Sequence, residues 1–323
     1  MLIEIEHELR FEYDAFIHES FMELRVEPLT DPGQSLRSFY LAVGPPTHVA
    51  RYSDWNGNLV HHFGVTDYHD RIEVLVRSAI DTHPRAVDLM ELDASGAPEQ
   101  GASAGLGPLL DFVALGGPVQ GTKAMRKLAE DLRIPVDAPI GEQIAGIGHA
   151  LFERFEYRPG VTDYRSTTER MLVEGGGVCQ DFAHVMLAVL RLRQIPCRYV
   201  SGYLHVDTGD EPSQSHAWIE VHVAGHGWVG FDPTHDAPPD ERYVVVARGR
   251  HYDDVPPNRG IYLGSAKESL HVSVKTHVAP PKDVASLQEE IGQLDVPVFQ
   301  EQPGSPASAD EADVTAQQQQ QQQ

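Results

Sequence analysis

Apolar and polar side chains alternate along the first residues of the chain. From position 3 to position 13, every odd-numbered residue is apolar, aromatic or histidine, and every even-numbered residue is glutamate or arginine. Side chains alternate between the two faces of a strand, so this pattern predicts a half-buried strand. Further strand-like runs follow between turn residues, at 21–28, 38–43, 48–52, 59–65 and 71–79. Many short strands without a helical pattern predict an antiparallel β-rich module, a sandwich or a barrel, within residues 1–92.

A stretch rich in alanine, glycine, serine and proline separates this module from the rest of the chain. It lies within residues 93–117, which are predicted to be a linker or a long loop. A proline start and apolar residues at intervals of three and four then predict helices at 118–133, about 140–155 and about 182–193. Alternating runs predict strands at 198–204, 215–223, 228–234, 243–247 and 270–278.

This mixture of helices and strands predicts an α+β domain over residues 118–280. After position 280 the composition becomes polar and rich in proline, alanine and glutamate, and it ends in a run of glutamines. Such a segment has too few apolar residues to form a packed core. Residues 281–323 are therefore predicted to be a disordered tail.

The third predicted helix is preceded by three consecutive glycines, Gly175 to Gly177, and by Cys179. Glycines allow a tight backbone path with positive φ. Cys179 then falls at or just before a helix N-terminus, where unpaired amides and the helix dipole favour an anion. A thiolate is favoured at this place, and a backbone N–H there could bind an oxyanion. The pattern predicts that Cys179 is a nucleophile.

A nucleophilic cysteine requires a base, and the base requires a group that orients it. His216 lies in an alternating segment that predicts a strand, and Asp232 ends the next strand just before a proline. In a strict hairpin with a two-residue turn at 225–226, Asp232 would lie opposite Ile219, whose side chain points away from the face of His216. The two side chains can share a face only if the hairpin contains a one-residue bulge or a wider turn.

Four segments, in the order GVCQDFAHVMLAVLR, IPCRYVSGYL, SHAWIEV and GWVGFDPTH, resemble the bacterial branch of the transglutaminase-like superfamily, which is related in fold to papain-type cysteine proteases. The resemblance implies a core in which the nucleophile lies at a helix N-terminus packed on an antiparallel sheet. It implies that Cys179 is the nucleophile, His216 the general base and Asp232 the residue that orients the imidazole. The segments ELRVEPL and YSDWNGNLVHHF resemble the N-terminal region that often precedes such domains in bacteria.

The activity implied by this resemblance is cysteine-dependent acyl transfer on amide bonds through a thioester. Cys179 would attack a glutamine side-chain carboxamide or a peptide bond. An amine acceptor would complete transglutamination, whereas water would make the protein a cysteine peptidase or amidase. Some members of this fold have lost the cysteine, so a non-catalytic binding or scaffold module is a third alternative. The intact Cys179, His216 and Asp232 argue against that alternative.

Aromatic residues near these motifs are candidates for contact with the substrate. Tyr157 lies in a loop that leads towards the glycines, and similar loops border the cleft in the family; a packing or turn role is the alternative. Trp218 and Trp228 are further candidates, with a role in the wall or core as the alternative. His184 is expected to pack under the helix, and Asp181 to stabilise the start of the helix.

The formal net charge of −23 over 323 residues argues against nucleic acid and an anionic membrane surface as partners. The expected partners are protein or peptide substrates, with an amine as an optional co-substrate. The first residues carry no positively charged leader, and no run approaches the about 20 apolar residues of a membrane helix. A cytoplasmic location without membrane attachment is therefore expected.

Cysteine and histidine counts bear on redox chemistry and metals. The chain has two cysteines, too few for a disulfide framework. Cys197 is expected to be a small buried residue, and a redox switch with Cys179 is the less favoured alternative. The 17 histidines show no compact ligand pattern such as HExxH, and no loop supports calcium binding. No metal and no other cofactor is expected.

Overall fold

The computed structural model describes residues 1–84, 87–94, 107–207, 215–279 and 314–317. They form two compact units. The first comprises the described parts of Met1–His83, Leu204–Ser215 and Pro256–Gln322, and the second comprises those of Pro84–Tyr203 and His216–Val255.

The secondary structure is a mixture of strands and helices, which confirms the predicted α+β class. In chain order the described strands are β1 (Leu2–Leu24), β2 (Gln34–Gly44), β3 (Ala50–Ser53), β4 (Leu59–Val65), β5 (His69–Thr82), β6 (Glu156–Tyr157), β7 (Gly176–Gly177), β8 (Cys197–Leu204), β9 (Ser215–Val223), β10 (Gly227–Phe231), β11 (Tyr243–Gly249), β12 (Asn258–Leu263), β13 (Glu268–Val278) and β14 (Val314–Gln317). The α-helices are α1 (Leu89–Ala94), α2 (Lys123–Asp131), α3 (Ile140–Arg154), α4 (Thr168–Glu174) and α5 (Cys179–Leu192). Short 3-10 helices cover Gly107–Phe112 and Tyr252–Asp254.

The first unit is an antiparallel sheet built around the long strand β1. The first half of β1 pairs with β5 and β13, and its second half pairs with β4 and β12. The register shifts between Glu12 and Ile17 and between His18 and Phe21, so the two halves of the strand belong to two different sets of pairings. The odd-numbered side chains from Ile3 to Tyr13 are buried, which confirms the predicted alternation. The run predicted at 3–13 and the first part of the run predicted at 21–28 belong to this one strand, which ends at Leu24.

The last strands of the chain also belong to the first unit. Strand β13 pairs with the first half of β1 over its full length, and β12 pairs with the second half. Strand β14 pairs with the other edge of β12, opposite Gly260 to Leu263. The predicted domain 118–280 had grouped the strand at 270–278 with the helices. The structure differs because strand partners distant in sequence leave no local pattern.

The predicted linker and tail fall largely outside the described residues. Of the linker 93–117, residues 95–106 lie outside them, and Gly107–Phe112 form a 3-10 helix. Of the tail 281–323, only 314–317 are described, and they form β14 rather than the predicted disorder. The edge of β12 supplies the backbone partners that this short polar segment lacks by itself.

The second unit places α5 against a four-stranded sheet with the order β10–β9–β8–β11. Residues Cys179 to Arg191 of α5 are all buried, as expected for a helix surrounded by other elements. Helices α2, α3 and α4 pack on α5. The predicted helix at 118–133 begins only at Lys123, because the Thr122 hydroxyl caps it by accepting the Met125 N–H at 3.3 Å. The predicted helix at about 140–155 is α3.

Candidate active site

The glycine run before Cys179 is required by close backbone approaches. Gly175 ends α4 in the left-handed conformation, with φ of 71°. Gly176 and Gly177 then pair in parallel with Glu156 and Tyr157. A Cβ atom at Gly176 would overlap the carbonyl oxygen of Glu156, and one at Gly177 would overlap the side chain of Asp181. Larger residues at these positions would displace the start of α5.

Cys179 is the first residue of α5 and is 3% exposed. The helix start is held by Asp181, whose Oδ2 accepts the backbone N–H of Val178 at 2.9 Å and the hydroxyl of Thr162 at 2.6 Å. Burial raises the pKa of Asp181, while the bonds from Thr162 and Val178 oppose that rise. This geometry confirms the prediction that Asp181 stabilises the helix start, and it ties the loop of Thr162 to the residue before Cys179.

His216 connects Asp232 to Cys179. The ring nitrogen Nε2 of His216 lies 2.6 Å from Oδ2 of Asp232, and both side chains are buried. A carboxylate only accepts hydrogen bonds, so the proton of this contact is on Nε2. In the neutral ring the lone pair is therefore on Nδ1, the nitrogen left for Cys179, which interacts with His216 by a hydrogen bond and by charge. This tautomer suits a base that removes a proton from the thiol.

The environment favours the protonated form of His216. Burial alone would lower the pKa of this imidazole. The charge and hydrogen bond of Asp232, followed by those of Cys179, outweigh burial and raise the pKa to about 10. The imidazolium is therefore the favoured form of His216 in this structure.

The turn between β9 and β10 explains why His216 and Asp232 share a face. Val223 pairs with Gly227, so residues 224–226 form a three-residue turn, and Gly227 has φ of 79°. The pairing ends with Phe231 opposite Ile219. Asp232 is the next residue, so its side chain falls on the opposite face from Phe231, which is the face of His216. Of the two alternatives that the sequence left open, the wider turn is the one observed.

Asp232 is 0% exposed and accepts hydrogen bonds on both carboxylate oxygens. Its Oδ2 accepts from His216 at 2.6 Å, from Nδ1 of His235 at 2.7 Å and from the Tyr243 hydroxyl at 2.8 Å. Its Oδ1 accepts the backbone N–H of Thr234 at 2.8 Å. Burial would raise the pKa of this carboxyl, but the charges and hydrogen bonds of His216 and His235 outweigh burial and hold the pKa far below its ordinary value. Asp232 therefore stays ionised.

One set of potential metal ligands lies in this cluster. Ligand atoms of His216, Asp232 and His235 lie within 4.8 Å of one another. Tetrahedral zinc with bonds of about 2.0–2.1 Å would separate its ligand atoms by roughly 3.3 Å. The N···O separations of 2.6 and 2.7 Å are instead those of charge-assisted hydrogen bonds. The arrangement therefore fits a hydrogen-bonded network better than a metal site, and the absence of a metal stays a prediction.

Two of the three predicted substrate contacts lie beside the His216–Asp232 pair or Cys179. Tyr157 is 47% exposed, and burial, followed by the charges of Cys179, Asp181 and Asp232, raises its pKa to about 12. It therefore presents a neutral hydroxyl near the thiol. Trp218 is 1% exposed, and its ring stacks on His216 with a centroid distance of 6.1 Å. Trp218 thus supports the imidazole, as its alternative role in the wall implied.

Trp228 lies at the other end of β9. It pairs with His222, six residues along the strand from His216, or about 20 Å at 3.3 Å per residue. Its ring packs against Phe112 at 5.1 Å, and the guanidinium of Arg198 lies 4.0 Å from its centroid. The structure therefore does not bring Trp228 to the candidate site. Its contacts are those of the alternative role in the wall or core.

Two groups on Asp232 were not predicted as parts of the site. His235 is one of the 17 histidines that show no compact metal-ligand pattern, and Tyr243 is only the first residue of the strand predicted at 243–247. The spacing of His235, three residues after Asp232, was the signal that could have suggested the contact. Tyr243 comes from β11, and nothing in the local sequence indicates that its hydroxyl reaches Asp232.

The remaining candidate groups have structural positions. His184 is buried and its Nε2 accepts the backbone N–H of Tyr252 at 3.2 Å, and burial lowers its pKa to about 3. It therefore packs under α5, as predicted. Cys197 is buried beside the carbonyl of Leu187, eight residues or about 12 Å further along α5 than Cys179. A disulfide needs Cα atoms within about 7 Å, so the two thiols are too far apart for a redox switch.

Among the helices that the structure describes, none combines the length and the apolar character needed to cross a membrane.

The chain is similar in sequence to known protein families. The family model of the transglutaminase-like superfamily matches residues 126–233, and that of the bacterial transglutaminase-like N-terminal region matches residues 3–81. An uncharacterised protein of Mycobacterium tuberculosis is 30% identical over 290 residues, which cover 85% of this chain and 92% of the relative. A protein-glutamine gamma-glutamyltransferase of Pseudomonas aeruginosa is 28% identical over 132 residues, or 38% of this chain and 20% of that protein.

A solved structure shares the fold. The crystal structure of a cysteine protease candidate from Cytophaga hutchinsonii matches with a TM-score of 0.71 and 22% identity, covering 87% of this chain and 92% of that chain. The match extends over both the N-terminal region and the core. The chain belongs to the bacterial transglutaminase-like family, whose superfamily consists typically of cysteine enzymes, and it has the N-terminal region of that family followed by the transglutaminase-like core.

Proposed function

We propose that the protein catalyses cysteine-dependent acyl transfer on amide bonds, with Cys179 as nucleophile, His216 as general base and acid, and Asp232 as the group that orients His216. The observation that supports this most is the position of the His216 ring between two partners. Asp232 holds Nε2 at 2.6 Å, and the Cys179 thiol interacts with the same ring at the start of α5. This is the arrangement of nucleophile, base and orienting group that acyl transfer requires.

In the first half-reaction the thiol proton passes to Nδ1 of His216, and the sulfur attacks the carbonyl carbon of the amide. A carbon–sulfur bond forms, and the carbonyl oxygen becomes an oxyanion that backbone amides at the start of α5 would stabilise. The carbon–nitrogen bond then breaks, and the imidazolium returns its proton from Nδ1 to the leaving ammonia or amine. A thioester on Cys179 and a neutral His216 remain.

In the second half-reaction an acceptor attacks the thioester. An amine or a water molecule loses a proton to Nδ1 of His216 and forms a bond to the carbonyl carbon. The carbon–sulfur bond breaks, and the thiolate–imidazolium pair is restored. An amine acceptor gives a new amide bond, as in transglutamination, and water gives a carboxylic acid, as in a peptidase or amidase.

Hydrolysis is the second candidate outcome, and one observation favours it. The His235 side chain is 49% exposed and bonds directly to Asp232, so solvent reaches the edge of the His216–Asp232 pair. Transamidation requires that water be kept from the thioester for long enough for an amine to react. The substrates that we propose are glutamine side chains or peptide bonds of proteins and peptides. A cytoplasmic location is a further part of this proposal, which cell fractionation would test.

Alkylation by iodoacetamide from pH 4 to pH 9 tests the proposed function. We expect one fast-reacting thiol, lost in Cys179→Ala, that already reacts well below pH 8. His216→Ala should slow it at pH 6 by about 100-fold, because the imidazolium that stabilises the thiolate is gone. The buried Cys197 serves as an internal reference. If the alkylation rate instead rises with the pKa of an ordinary thiol, near 8.5, and is unchanged in His216→Ala, the protein would be a binding or scaffold module.

Glutamine peptides distinguish the two outcomes of the reaction. Incubation of the protein with a glutamine-containing peptide, with and without a primary amine, yields different masses for deamidated and amine-linked products. Cys179→Ala is the matched control in both incubations. Products that form equally fast with this variant would contradict the proposed role of Cys179.

A further inference from the structure

The carboxylate of Asp232 is shared by two histidines. His216 and His235 both approach Oδ2, at 2.6 and 2.7 Å, and their rings meet edge to face with a centroid distance of 5.2 Å. His216 interacts in addition with Cys179 by a hydrogen bond and by charge. His235 thus competes with His216 for the same oxygen of Asp232.

We infer that His235 is a positioning residue that draws part of the negative charge of Asp232 away from His216 and so sets how firmly His216 holds its proton. This inference rests on the proposed function of Cys179, His216 and Asp232. His235 touches neither the substrate nor the thiol in this scheme, so it acts only through Asp232.

The direction of the effect follows from the hydrogen bonds. A carboxylate has no proton to donate, so His235 donates from Nδ1 to Oδ2. Each donor on an anionic oxygen stabilises the charge and weakens the bonds that the other donors make to it. With His235 and Tyr243 both bonded to Oδ2, His216 receives less of the stabilisation than it would receive alone. An imidazolium that is held less firmly releases its proton more readily to the leaving group.

Two observations argue against a purely structural role for His235. Its side chain is 49% exposed, so it contributes little to the core. The turn that carries it is held by other bonds, since the backbone N–H of Thr234 donates to Oδ1 of Asp232, and the N–H of Asp232 donates to the carbonyl of Ala237. The next residue, Asp236, accepts a separate bond from Nδ1 of His149 at 2.7 Å. The fold should therefore tolerate replacement of His235.

Two substitutions separate the hydrogen bond from the shape of the side chain. In His235→Asn the amide nitrogen lies where Nδ1 lay, so a donor to Oδ2 is kept. In His235→Leu a methyl group lies near the position of Nδ1, and it cannot donate a hydrogen bond. Both variants lack an ionisable ring, so any difference between them reports the donor. Thermal unfolding of both variants checks that the fold is retained.

The measurement is the rate of Cys179 alkylation by iodoacetamide as a function of pH, followed by mass spectrometry from pH 4 to pH 11. A wild-type protein with a thiolate–imidazolium pair shows one step when the thiol loses its proton and a second step when His216 loses its proton. In His235→Leu we expect the second step to move to higher pH by about 0.5–1 pH unit, while the first step stays in place. In His235→Asn the second step should stay within about 0.2 pH unit of the wild type.

Each outcome has a separate meaning. If the alkylation rate of the wild-type protein shows a single step at the pKa of an ordinary thiol, the proposed function itself would be contradicted. Two wild-type steps that are unchanged in His235→Leu would overturn the role of His235 alone. Equal shifts in His235→Leu and His235→Asn would also overturn it, because the effect would then come from the lost ring and not from the hydrogen bond to Asp232.

Discussion

One face of β9 carries two buried charged clusters, centred on His216 and on Glu220, four residues further along the strand. Glu220 is 6% exposed and accepts from Arg198 at 2.7 Å and from Arg248 at 3.0 Å. Burial would raise the pKa of Glu220, but the charges of Arg248 and Arg198 outweigh burial and lower it. By burial, charge and pKa direction, this carboxylate resembles Asp232, its counterpart in the other cluster.

The partners of the two carboxylates make the difference. Arginine keeps its proton at any pH that the protein meets, so the cluster of Glu220 has no proton to exchange and can only hold strands together. The partners of Asp232 are two imidazoles and a phenol, and one of these imidazoles also reaches a thiol. A buried carboxylate with a shifted pKa therefore does not by itself mark a catalytic site. A better indication of a catalytic site is a carboxylate whose partner can exchange a proton with a nucleophile.

Replacing each of the two carboxylates by the corresponding amide tests the difference between the clusters most directly. We expect Asp232→Asn to lower any acyl-transfer activity by about 10³-fold, and to lower the rate of Cys179 alkylation at pH 6 by at most the about 100-fold expected of His216→Ala. The amide keeps the shape but removes the charge that stabilises the imidazolium of His216. The measurement is the alkylation rate together with circular dichroism of the folded protein. An alkylation rate within a few fold of the wild type would show that Asp232 is not needed to activate His216.

The matched change, Glu220→Gln, should lower the stability of the protein and leave the alkylation rate of Cys179 nearly unchanged. We expect the free energy of unfolding to fall by about 3 kcal/mol, because two partly buried guanidinium groups lose their shared anion. The rate of Cys179 alkylation should change by less than about threefold, since no proton of that cluster takes part in the reaction. Urea unfolding and the alkylation assay measure the two effects on one preparation. A large loss of alkylation rate in a folded Glu220→Gln protein would contradict the division into a structural and a reactive cluster.

The sequence indicates more about the cluster of His216 than about the cluster of Glu220. The resemblance to the transglutaminase-like superfamily implies roles for Cys179, His216 and Asp232, whereas the helical and alternating patterns predict only the elements on which these residues lie. The shared face of His216 and Asp232 could not be predicted, because it depends on the three-residue turn before Gly227. The parity of a strand pair changes with one residue in that turn.

What sequence could not predict depends on contacts between distant strands. Arg198 and Arg248 lie 22 and 28 residues from Glu220, and no local pattern relates them. The same limit applies to β12 and β13, which return from the end of the chain to pair with β1. Periodicity predicts which residues form strands and which face is buried, whereas partners come from the packing of the whole chain.

The stability of the protein should depend on pH differently in the two clusters. Because the pKa of His216 is raised to about 10, its contribution to stability is complete below about pH 6.5, the ordinary value of histidine, and is lost as the pH rises through 10. We expect a loss on the order of 2 kcal/mol over this window. The lowered pKa of Glu220 gives stability that is present above the ordinary carboxyl value and lost only in acid.

Urea unfolding at pH 6, 8 and 10 measures this dependence. The loss above pH 6.5 should be absent from His216→Gln and present in Glu220→Gln, because only the first variant lacks the titrating imidazole. An alkaline loss of stability that persists unchanged in His216→Gln would mean that another group causes it.

The smallest expected effect concerns Trp228, which belongs to the structural cluster by its contacts. Its ring lies 4.0 Å from the guanidinium of Arg198 and packs on Phe112 and His222. Trp228→Leu should lower the free energy of unfolding by about 1 kcal/mol, since it removes a cation–π contact and part of a half-buried ring. The alkylation rate of Cys179 should stay the same, because about 20 Å of strand separates Trp228 from His216.

Trp218→Leu is the matched change at the other end, and there the alkylation rate should fall, since that ring stacks on His216. If Trp228→Leu slowed alkylation as much as Trp218→Leu does, the two clusters would be coupled along β9. The division into a structural and a reactive cluster would then be wrong.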